Sequence, residues 1–284
     1  MGLALLGALI ITPDTLLIRL SGLEGWSLTV WRGLLIGISI LVIWAIMAWG
    51  QLLKDFRKII SLPFVVIMFA TTGNNIAFNF AAIETSITIV LTALSTAPVL
   101  AAALSFLLLK ETTTPQTWLA ILITLLGVLI VIFSGGGATA APAGNIFFGG
   151  FLGVMSALGL STVFVFSRKS PDVPVLLAVG LGTILSGIIG LAGVSGDSLF
   201  SGTLWPVVVM GFGVMPMAMA LLSIAPRYTA ATNVSLFMLL EMVLGPFWVW
   251  LGTGEHPSLM MIAGAAIVLG TLIIYILSGT RNDA

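Results

Sequence analysis

The sequence predicts an all-α integral membrane protein in which ten transmembrane helices form two inverted five-helix repeats around a central cavity. Composition is the first reason, because 59% of the 284 residues are apolar and only 7% are charged. Soluble domains average about 45–50% apolar residues and about 25% charged residues. The distribution of the basic residues and an internal repeat are the second and third reasons.

The apolar residues fall into ten segments, each near the length of about 20 residues that a helix needs to cross a bilayer. The predicted spans are 3–20, 27–50, 62–82, 86–109, 117–134, 146–167, 174–193, 204–225, 229–251 and 258–278. The first has no basic residues before it and no cleavage signature, so we interpret it as a span and not as a signal peptide. No polar stretch reaches the size of a domain, which excludes an appended catalytic or nucleotide-binding domain.

The basic residues between the spans predict the orientation, because Lys and Arg are enriched in cytoplasmic loops. With ten spans, eight of the ten basic residues fall on one side, namely Lys54, Arg57, Lys58, Lys110, Arg168, Lys169, Arg227 and Arg281. The opposite loops contain acidic residues, Glu24, Glu84, Asp197 and Glu255, but no Lys or Arg. This separation supports ten spans and predicts that both termini are cytoplasmic.

The two halves of the chain resemble each other in sequence. The segment Pro98–Val128 aligns with Met242–Thr271 at an offset of 143 to 144 residues. We predict two domains, 1–138 and 139–284, connected through the glycine-rich segment Ser134–Gly137. Five spans per half is an odd number, so the second half inserts upside down, as in transporters with inverted repeats. A duplication retained only for packing is the alternative.

Several function classes are excluded by counts. Ten Lys plus Arg balance ten Asp plus Glu, so no basic excess favours nucleic acid. The absence of Cys and the single His256 exclude thiolate and multi-histidine metal centres, and no phosphate-binding loop is present for ATP. An intramembrane enzyme would need a nucleophile and base at depth, and no such arrangement is recognisable. We therefore expect no enzyme activity, cofactor or metal.

Glu241 is the first candidate functional residue. It lies twelve residues after Thr229, which at ~1.5 Å per residue places it about 18 Å into span 9, near the midplane. An ionisable group at that depth is costly unless it is paired or wetted, and the sequence predicts no basic residue at that depth in a neighbouring span. The carboxyl group either couples transport to protons or faces a substrate ammonium, or it hydrogen-bonds to nearby backbone; the sequence leaves these readings open.

Polar and aromatic side chains recur at helical spacing in four of the spans. The predicted substrate-binding residues are Asn75, Phe78 and Asn79 of span 3, Ser95 and Thr96 of span 4, Met215 of span 8, and Asn233, Phe237, Glu241 and Trp248 of span 9. A few polar groups in an apolar wall suit a small amphipathic molecule. Interhelical packing is the alternative for the same side chains.

Asp14 in span 1 needs a cationic partner. Arg32 enters span 2 from the outer side at a similar depth, and Arg19 lies just above. We predict an ion pair or network of these three residues near the outer mouth, with direct substrate contact as the alternative. A break of span 1 at Pro13 would also expose backbone amides beside Asp14 to the cavity.

Pairs of glycines in two spans have the spacing that allows helices to approach closely. Gly33 and Gly37 form this pattern in span 2, and Gly149 and Gly153 form it in span 6. We interpret both pairs as packing surfaces.

Short motifs in both halves carry a family resemblance. They are Leu23–Gly25 with Trp31–Gly33, Thr85–Ser86, Ala97–Val99 with Leu109–Glu111, Arg227–Thr229, Leu240–Met242 and Gly254–Glu255. In order and spacing they resemble the drug/metabolite transporter superfamily, in particular its EamA-type members with ten spans. The chain departs from the family pattern at Thr12–Asp14 and at Met242.

The resemblance implies a permease of the bacterial inner membrane that exports amino acids or related small metabolites, similar to exporters of the YddG type. The expected partners are a small-molecule substrate and membrane lipid, and the expected assembly is a monomer. The alternatives are a drug or cation carrier, a nucleotide-sugar carrier of the same superfamily, and a channel. The few basic residues argue against a diphosphate ligand, which usually needs Arg or Lys clamps.

Overall fold

The structure, a computed structural model, describes residues 1–23, 25–84, 90, 93–133, 146–194, 196–253 and 259–282. Within these ranges the chain is helical and contains no β-strand. Several residues discussed above lie outside the described part, namely Glu24, Thr85, Ser86, the segment Ser134–Gly137 with the boundary between the two predicted domains, Gly254, Glu255 and His256.

Thirteen α-helices are described, numbered here in chain order. They are α1 Gly2–Ile11, α2 Asp14–Ser21, α3 Gly25–Met47, α4 Leu52–Phe56, α5 Leu62–Glu84, α6 Ala97–Leu109, α7 Pro115–Phe133, α8 Ile146–Lys169, α9 Val175–Gly193, α10 Leu204–Val209, α11 Met215–Ile224, α12 Ala231–Thr253 and α13 Leu259–Asn282. A π-helical segment, Met210–Val214, joins α10 to α11, and short 3-10 turns occupy Gly196–Phe200 and Ala225–Arg227.

The helices confirm the all-α membrane class. Seven described segments are long and apolar enough to cross a membrane, namely Gly2–Ser21, Gly25–Met47, Leu62–Ala81, Phe147–Lys169, Val175–Gly193, Leu204–Arg227 and Ala231–Gly252. Three shorter apolar helices, Ala97–Leu109, Pro115–Ile130 and Ile262–Leu277, lie in the remaining predicted spans. The count of ten spans remains a prediction.

Span 1 is divided at Thr12 and Pro13, where α1 ends and α2 begins. Proline has no amide hydrogen and interrupts the regular pattern of helix hydrogen bonds. The Thr12 hydroxyl donates to the Leu9 carbonyl at 2.8 Å, and the Leu17 amide donates to the Pro13 carbonyl at 3.1 Å. Thr12 and Pro13 keep right-handed helical backbone angles, so the interruption lies in the hydrogen bonding of the span. Asp14 is the first residue of the second helix.

Span 8 contains an irregularity that the sequence analysis missed. The pattern predicted one continuous helix over 204–225, whereas Met210–Val214 is π-helical. Two glycines lie in this segment, and a Cβ added to Gly211 would approach the Leu35 Cβ to 2.5 Å. The widened turn thus fits closely against α3.

The glycine pair in α3 packs against α9. A Cβ on Gly33 would lie 2.5 Å from the Gly187 Cα, and one on Gly37 would lie 2.9 Å from the Ile184 backbone nitrogen. The prediction that Gly33 and Gly37 form a packing surface is confirmed. Gly153 of α8 is also tightly placed, since its Cβ would lie 2.6 Å from the Ala93 Cβ.

The helices contact one another in matched pairs. Helix α3 packs against α9, α7 against α13, and α6 against α12. Helix α5 contacts both α8 and α9, and the α10–α11 unit correspondingly contacts α1, α2 and α3. These contacts bring the first half of the chain against the second along most of their length.

Loops that the sequence predicts to be cytoplasmic meet at one end of the bundle. Arg168, in the last turn of α8, pairs with Glu111 after α6 at 2.8 Å, and it also donates to the Thr229 carbonyl before α12 at 2.9 Å. Lys58 donates to the Asp172 carbonyl at 2.6 Å. These contacts join four predicted cytoplasmic loops, and the side of the membrane on which they lie remains a prediction.

Candidate functional site

The division of span 1 places a charged residue inside the bundle. Asp14 is only 3% exposed, and its Oδ2 accepts a hydrogen bond from Arg32 Nη1 at 2.9 Å. Arg32 lies seven residues into α3, or about 10 Å from the helix end at ~1.5 Å per residue. The pair therefore lies about a third of the way along this 23-residue helix. Arg19 is exposed in the last turn of α2.

The π-helical segment and the first residue of α11 supply two further neighbours of Arg32. Its guanidinium Nη1 lies 3.2 Å from the Met210 sulfur, and Nη2 lies 4.0 Å from the Met215 sulfur. Thioether sulfur is a weak hydrogen-bond acceptor, so the Asp14 carboxylate is the strong partner among these groups. Met215 was predicted to contact substrate, and the structure places it against Arg32. π-Bulges in other proteins frequently occur at functional sites.

Helix α12 brings Glu241 to the same region. Residues 241, 245 and 248 share one helix face, since they are spaced by four and three. A Cβ on Gly245 would lie 3.0 Å from the Thr15 hydroxyl, and the Trp248 indole nitrogen donates to the Thr12 hydroxyl at 2.9 Å. The face of α12 that carries Glu241 therefore packs along the turn between α1 and α2. We call Asp14, Arg32 and Glu241, grouped around this turn, the break site.

Glu241 has two charged groups within electrostatic range, namely Asp14 and Arg32, which the sequence did not predict. The hydrophobic pattern alone does not show which helix faces meet. The location of Asp14 and Arg32 near the outer mouth remains a prediction. The Glu241 side chain is only partly buried, and Trp248 is 38% exposed, so both border accessible space.

One oxygen of the break site has no hydrogen-bond partner in the described part of the chain. Asp14 Oδ1 is fully buried and unpaired there, while Oδ2 of the same carboxylate binds Arg32. A buried carboxylate oxygen normally finds a donor. This unpaired acceptor distinguishes the break site from an ordinary structural ion pair.

The amides of α5 tie this helix to its neighbours. The Asn75 amide nitrogen donates to the Ser186 hydroxyl of α9 at 3.3 Å, and Asn74 Oδ1 accepts a hydrogen bond from Ser156 of α8 at 2.7 Å. For Asn75 this geometry favours the packing alternative. Asn79 is 9% exposed and Phe78 is partly buried; both remain predicted site residues.

Two predicted site residues of α12 lie in packed surroundings. The Asn233 amide donates to the Thr229 hydroxyl at 3.1 Å and accepts from the Tyr275 hydroxyl at 2.8 Å. Phe237 has no exposed surface. Helical spacing places these residues on one face of α12 with Glu241, but different parts of that face contact different helices. The packing alternative is therefore the better interpretation of both.

The two predicted site residues before α6 are in a turn. Thr96 donates through its hydroxyl to the Ala93 carbonyl at 2.6 Å, and Ser95 is buried. The adjacent Ala97 carbonyl accepts a hydrogen bond from Ser161 of α8 at 2.9 Å. These contacts hold the start of α6 against α8 and leave a substrate role for Ser95 and Thr96 as a prediction.

Comparison with known proteins identifies a transporter domain. Residues 1–133, just under half of the chain, match the model of the EamA-like transporter family. The first half of the chain therefore carries an EamA-like transporter domain.

Two other proteins resemble this chain over most of its length. It is 26% identical over 261 residues to the uncharacterized transporter YdfC of Bacillus subtilis (strain 168), which covers 88% of this chain and 82% of YdfC. A protein of known crystal structure superposes with a TM-score of 0.78 at 17% identity, over 97% of this chain and 96% of the other. The superposition establishes a shared fold.

Two parts of the site were not predicted from the sequence. Thr12 and Met210 contact Trp248 and Arg32, respectively. For Thr12 a signal existed, because the chain departs from the family pattern at that point. For Met210 only the neighbouring glycines hinted at an irregular helix, and hydrophobic periodicity does not distinguish a π turn from an α turn.

Proposed function

We propose that the protein is a secondary transporter that exports amino acids or related small metabolites across the bacterial inner membrane, with both termini in the cytoplasm. The observation that carries the proposal is the break site: three ionisable side chains meet inside the bundle beside a divided helix. Charges at membrane depth are expensive and usually mark a substrate or ion pathway. Transporters commonly place substrate sites at such divided helices between their two halves.

Two inverted five-helix halves are the architecture that best explains the helix contacts. If α1–α2 corresponds to α8, α3 to α9, α5 to α10–α11, α6 to α12 and α7 to α13, exchanging the halves maps every major contact onto another. The contact of α5 with α8 becomes that of α10–α11 with α1–α2, and the α3–α9 contact maps onto itself. This exchange supports alternating access, in which the halves rock about the site between them.

The break site offers what a small amphipathic metabolite needs. Asp14, Arg32 and Glu241 supply a few fixed charges, while Met215 and Trp248 supply an apolar wall. Binding sites for small molecules usually combine a mostly apolar lining with few polar groups. The single guanidinium of the break site disfavours nucleotide sugars, because diphosphates usually need several basic clamps.

Glu241 is the group we assign to proton coupling, and its replacement by glutamine tests the proposal. The purified protein would be reconstituted in liposomes loaded with one unlabelled amino acid at a time, and uptake of the same labelled amino acid by counterflow would be measured. We expect saturable counterflow for a subset of the twenty amino acids. In Glu241→Gln, an imposed pH gradient should no longer change transport, since the charged neighbours that remain, Asp14 and Arg32, neutralise each other.

The control for this experiment is Glu111→Gln, which removes a carboxylate at the end of the bundle, outside the break site. Its transport should respond to the pH gradient as the unmodified protein does. Full pH-dependent transport by Glu241→Gln would show that Glu241 does not couple protons. Flux that never saturates would indicate a channel, and the absence of counterflow for every amino acid would refute amino acid export.

A further inference from the structure

The break site contains more negative than positive side chains. Asp14 and Glu241 contribute two carboxylates and Arg32 contributes one guanidinium, and the ion pair at 2.9 Å uses only Oδ2 of Asp14. Asp14 Oδ1 is left as a buried acceptor without a partner in the described residues. An acceptor of this kind needs a donor. The excess carboxylate is neutralised either by a proton, as in the coupling assigned to Glu241, or by a bound cation.

The backbone beside the break site favours neither sign of charge. Helix α1 stops at Ile11 and α2 begins at Asp14, so a C-terminal and an N-terminal helix end lie next to each other. The C-terminal end carries a partial negative charge and the N-terminal end a partial positive charge. The preference for a cation therefore comes from the side chains of the break site.

We propose that the break site binds the transported molecule through a protonated amine, which donates to Asp14 Oδ1 and to the Glu241 carboxylate. The inference rests on the proposed function, because it names the substrate class of the same site. Arg32 neutralises one of the two carboxylates, so the site holds one positive charge. The recognised substrate is therefore a monocation, or a zwitterion bound through its ammonium group.

The neighbours of the site define the rest of the substrate. The side chains of Met210 and Met215 lie beside Arg32, and Trp248 lies across the turn at Thr12. Flexible methionines and a large aromatic ring accept apolar groups of several shapes. The substrate class is thus a primary amine with an apolar side chain, and its carboxylate is not required for binding.

A matched ligand series tests this class with the full chain in detergent. Phenylalanine, 2-phenylethylamine and N-acetylphenylalanine share one side chain but differ in amine and carboxylate, and the corresponding leucine series is leucine, 3-methylbutylamine and N-acetylleucine. Binding would be measured by titration calorimetry at neutral pH. We expect both free amines to bind, and the acetylated compounds to bind more weakly by roughly tenfold to a hundredfold, the equivalent of one charged hydrogen bond.

Variants of the protein test whether amine binding takes place at the break site. Glu241→Gln keeps the shape of the side chain and should weaken amine binding by roughly tenfold or more. Asp55→Asn is the control, since Asp55 accepts a hydrogen bond from Trp44 outside the break site, and it should leave amine binding unchanged. Asp14→Asn is a second test, provided that its thermal unfolding shows it to be folded.

The outcomes separate this inference from the proposed function. Amine binding without counterflow would retain the ammonium site and overturn export of amino acids. Counterflow of amino acids together with equal binding of the acetylated compounds would retain transport and overturn the ammonium site. The ammonium site would also be overturned if neither the amino acid nor the corresponding amine of a series bound at millimolar concentration. Unchanged amine binding in Glu241→Gln would overturn it as well.

Discussion

Replacing Arg32 with methionine is expected to destabilise the folded protein by about 3–5 kcal/mol, because it leaves Asp14 as a buried charge without its partner. Asp14 is 3% exposed and has no other hydrogen bond in the described part of the chain. Methionine is shorter than arginine but close to it in volume, and it would lie beside Met210 and Met215. The measurement is the thermal or denaturant unfolding of the purified protein in detergent.

The control is the double variant Asp14→Asn with Arg32→Met. Removing both charges eliminates the unpaired carboxylate, and replacing a buried ion pair by uncharged groups of similar volume is often close to neutral. The double variant should therefore recover about 2 kcal/mol or more relative to Arg32→Met. Equal stability of the single and double variants would show that Asp14 and Arg32 are not coupled.

Replacing Gly33 with alanine is expected to destabilise the bundle by about 1–3 kcal/mol, in the range of overpacked cores. The added Cβ would lie 2.5 Å from both the Cα and the backbone nitrogen of Gly187. Backbone atoms cannot move aside as a flexible side chain can, so α3 and α9 would have to separate. The unfolding midpoint of the variant in detergent measures the effect.

The matched control for Gly33→Ala is Gly270→Ala in α13, where a Cβ would meet nothing within 4 Å. Alanine forms helix better than glycine by about 1 kcal/mol, so this variant should be unchanged or more stable. If both variants have the same stability, the close approach of α3 and α9 does not contribute to folding.

The sequence predicted the membrane class of the protein, the glycines at which helices pack closely, and the charged residues of the candidate site. Apolar composition and length determine whether a helix can cross a membrane, and small residues four apart determine where helices can approach closely. Asp14 and Arg32 were predicted as a pair because a charge at membrane depth needs a partner. Each of these inferences depends on local pattern or on the cost of burial.

What the sequence did not predict depends on tertiary contacts. Helical spacing grouped Asn233 and Phe237 with Glu241, but the three residues contact different helices. The Tyr275 hydroxyl, for example, donates a hydrogen bond to the Asn233 side chain. The charged neighbours of Glu241 and the π turn beside Arg32 likewise arise from the way in which separate helices meet. One-dimensional periodicity contains no information on which helix lies opposite.

Alternating access requires the break site to open in turn to the two sides of the membrane, and cysteine labelling measures this opening. The chain contains no cysteine, so Met215→Cys introduces a single thiol beside Arg32. Met217→Cys is the control, since Met217 is 53% exposed on the surface of the same helix. Oriented vesicles would be treated with a membrane-impermeant maleimide from either side.

We expect the thiol at position 215 to react from both sides of the membrane. When substrate is added, its reaction from one side should fall as its reaction from the other side rises. The thiol at position 217 should show no such response. Retained counterflow by Met215→Cys would establish that the variant is functional. Labelling of position 215 from one side alone, whatever the substrate condition, would contradict alternating access at the break site.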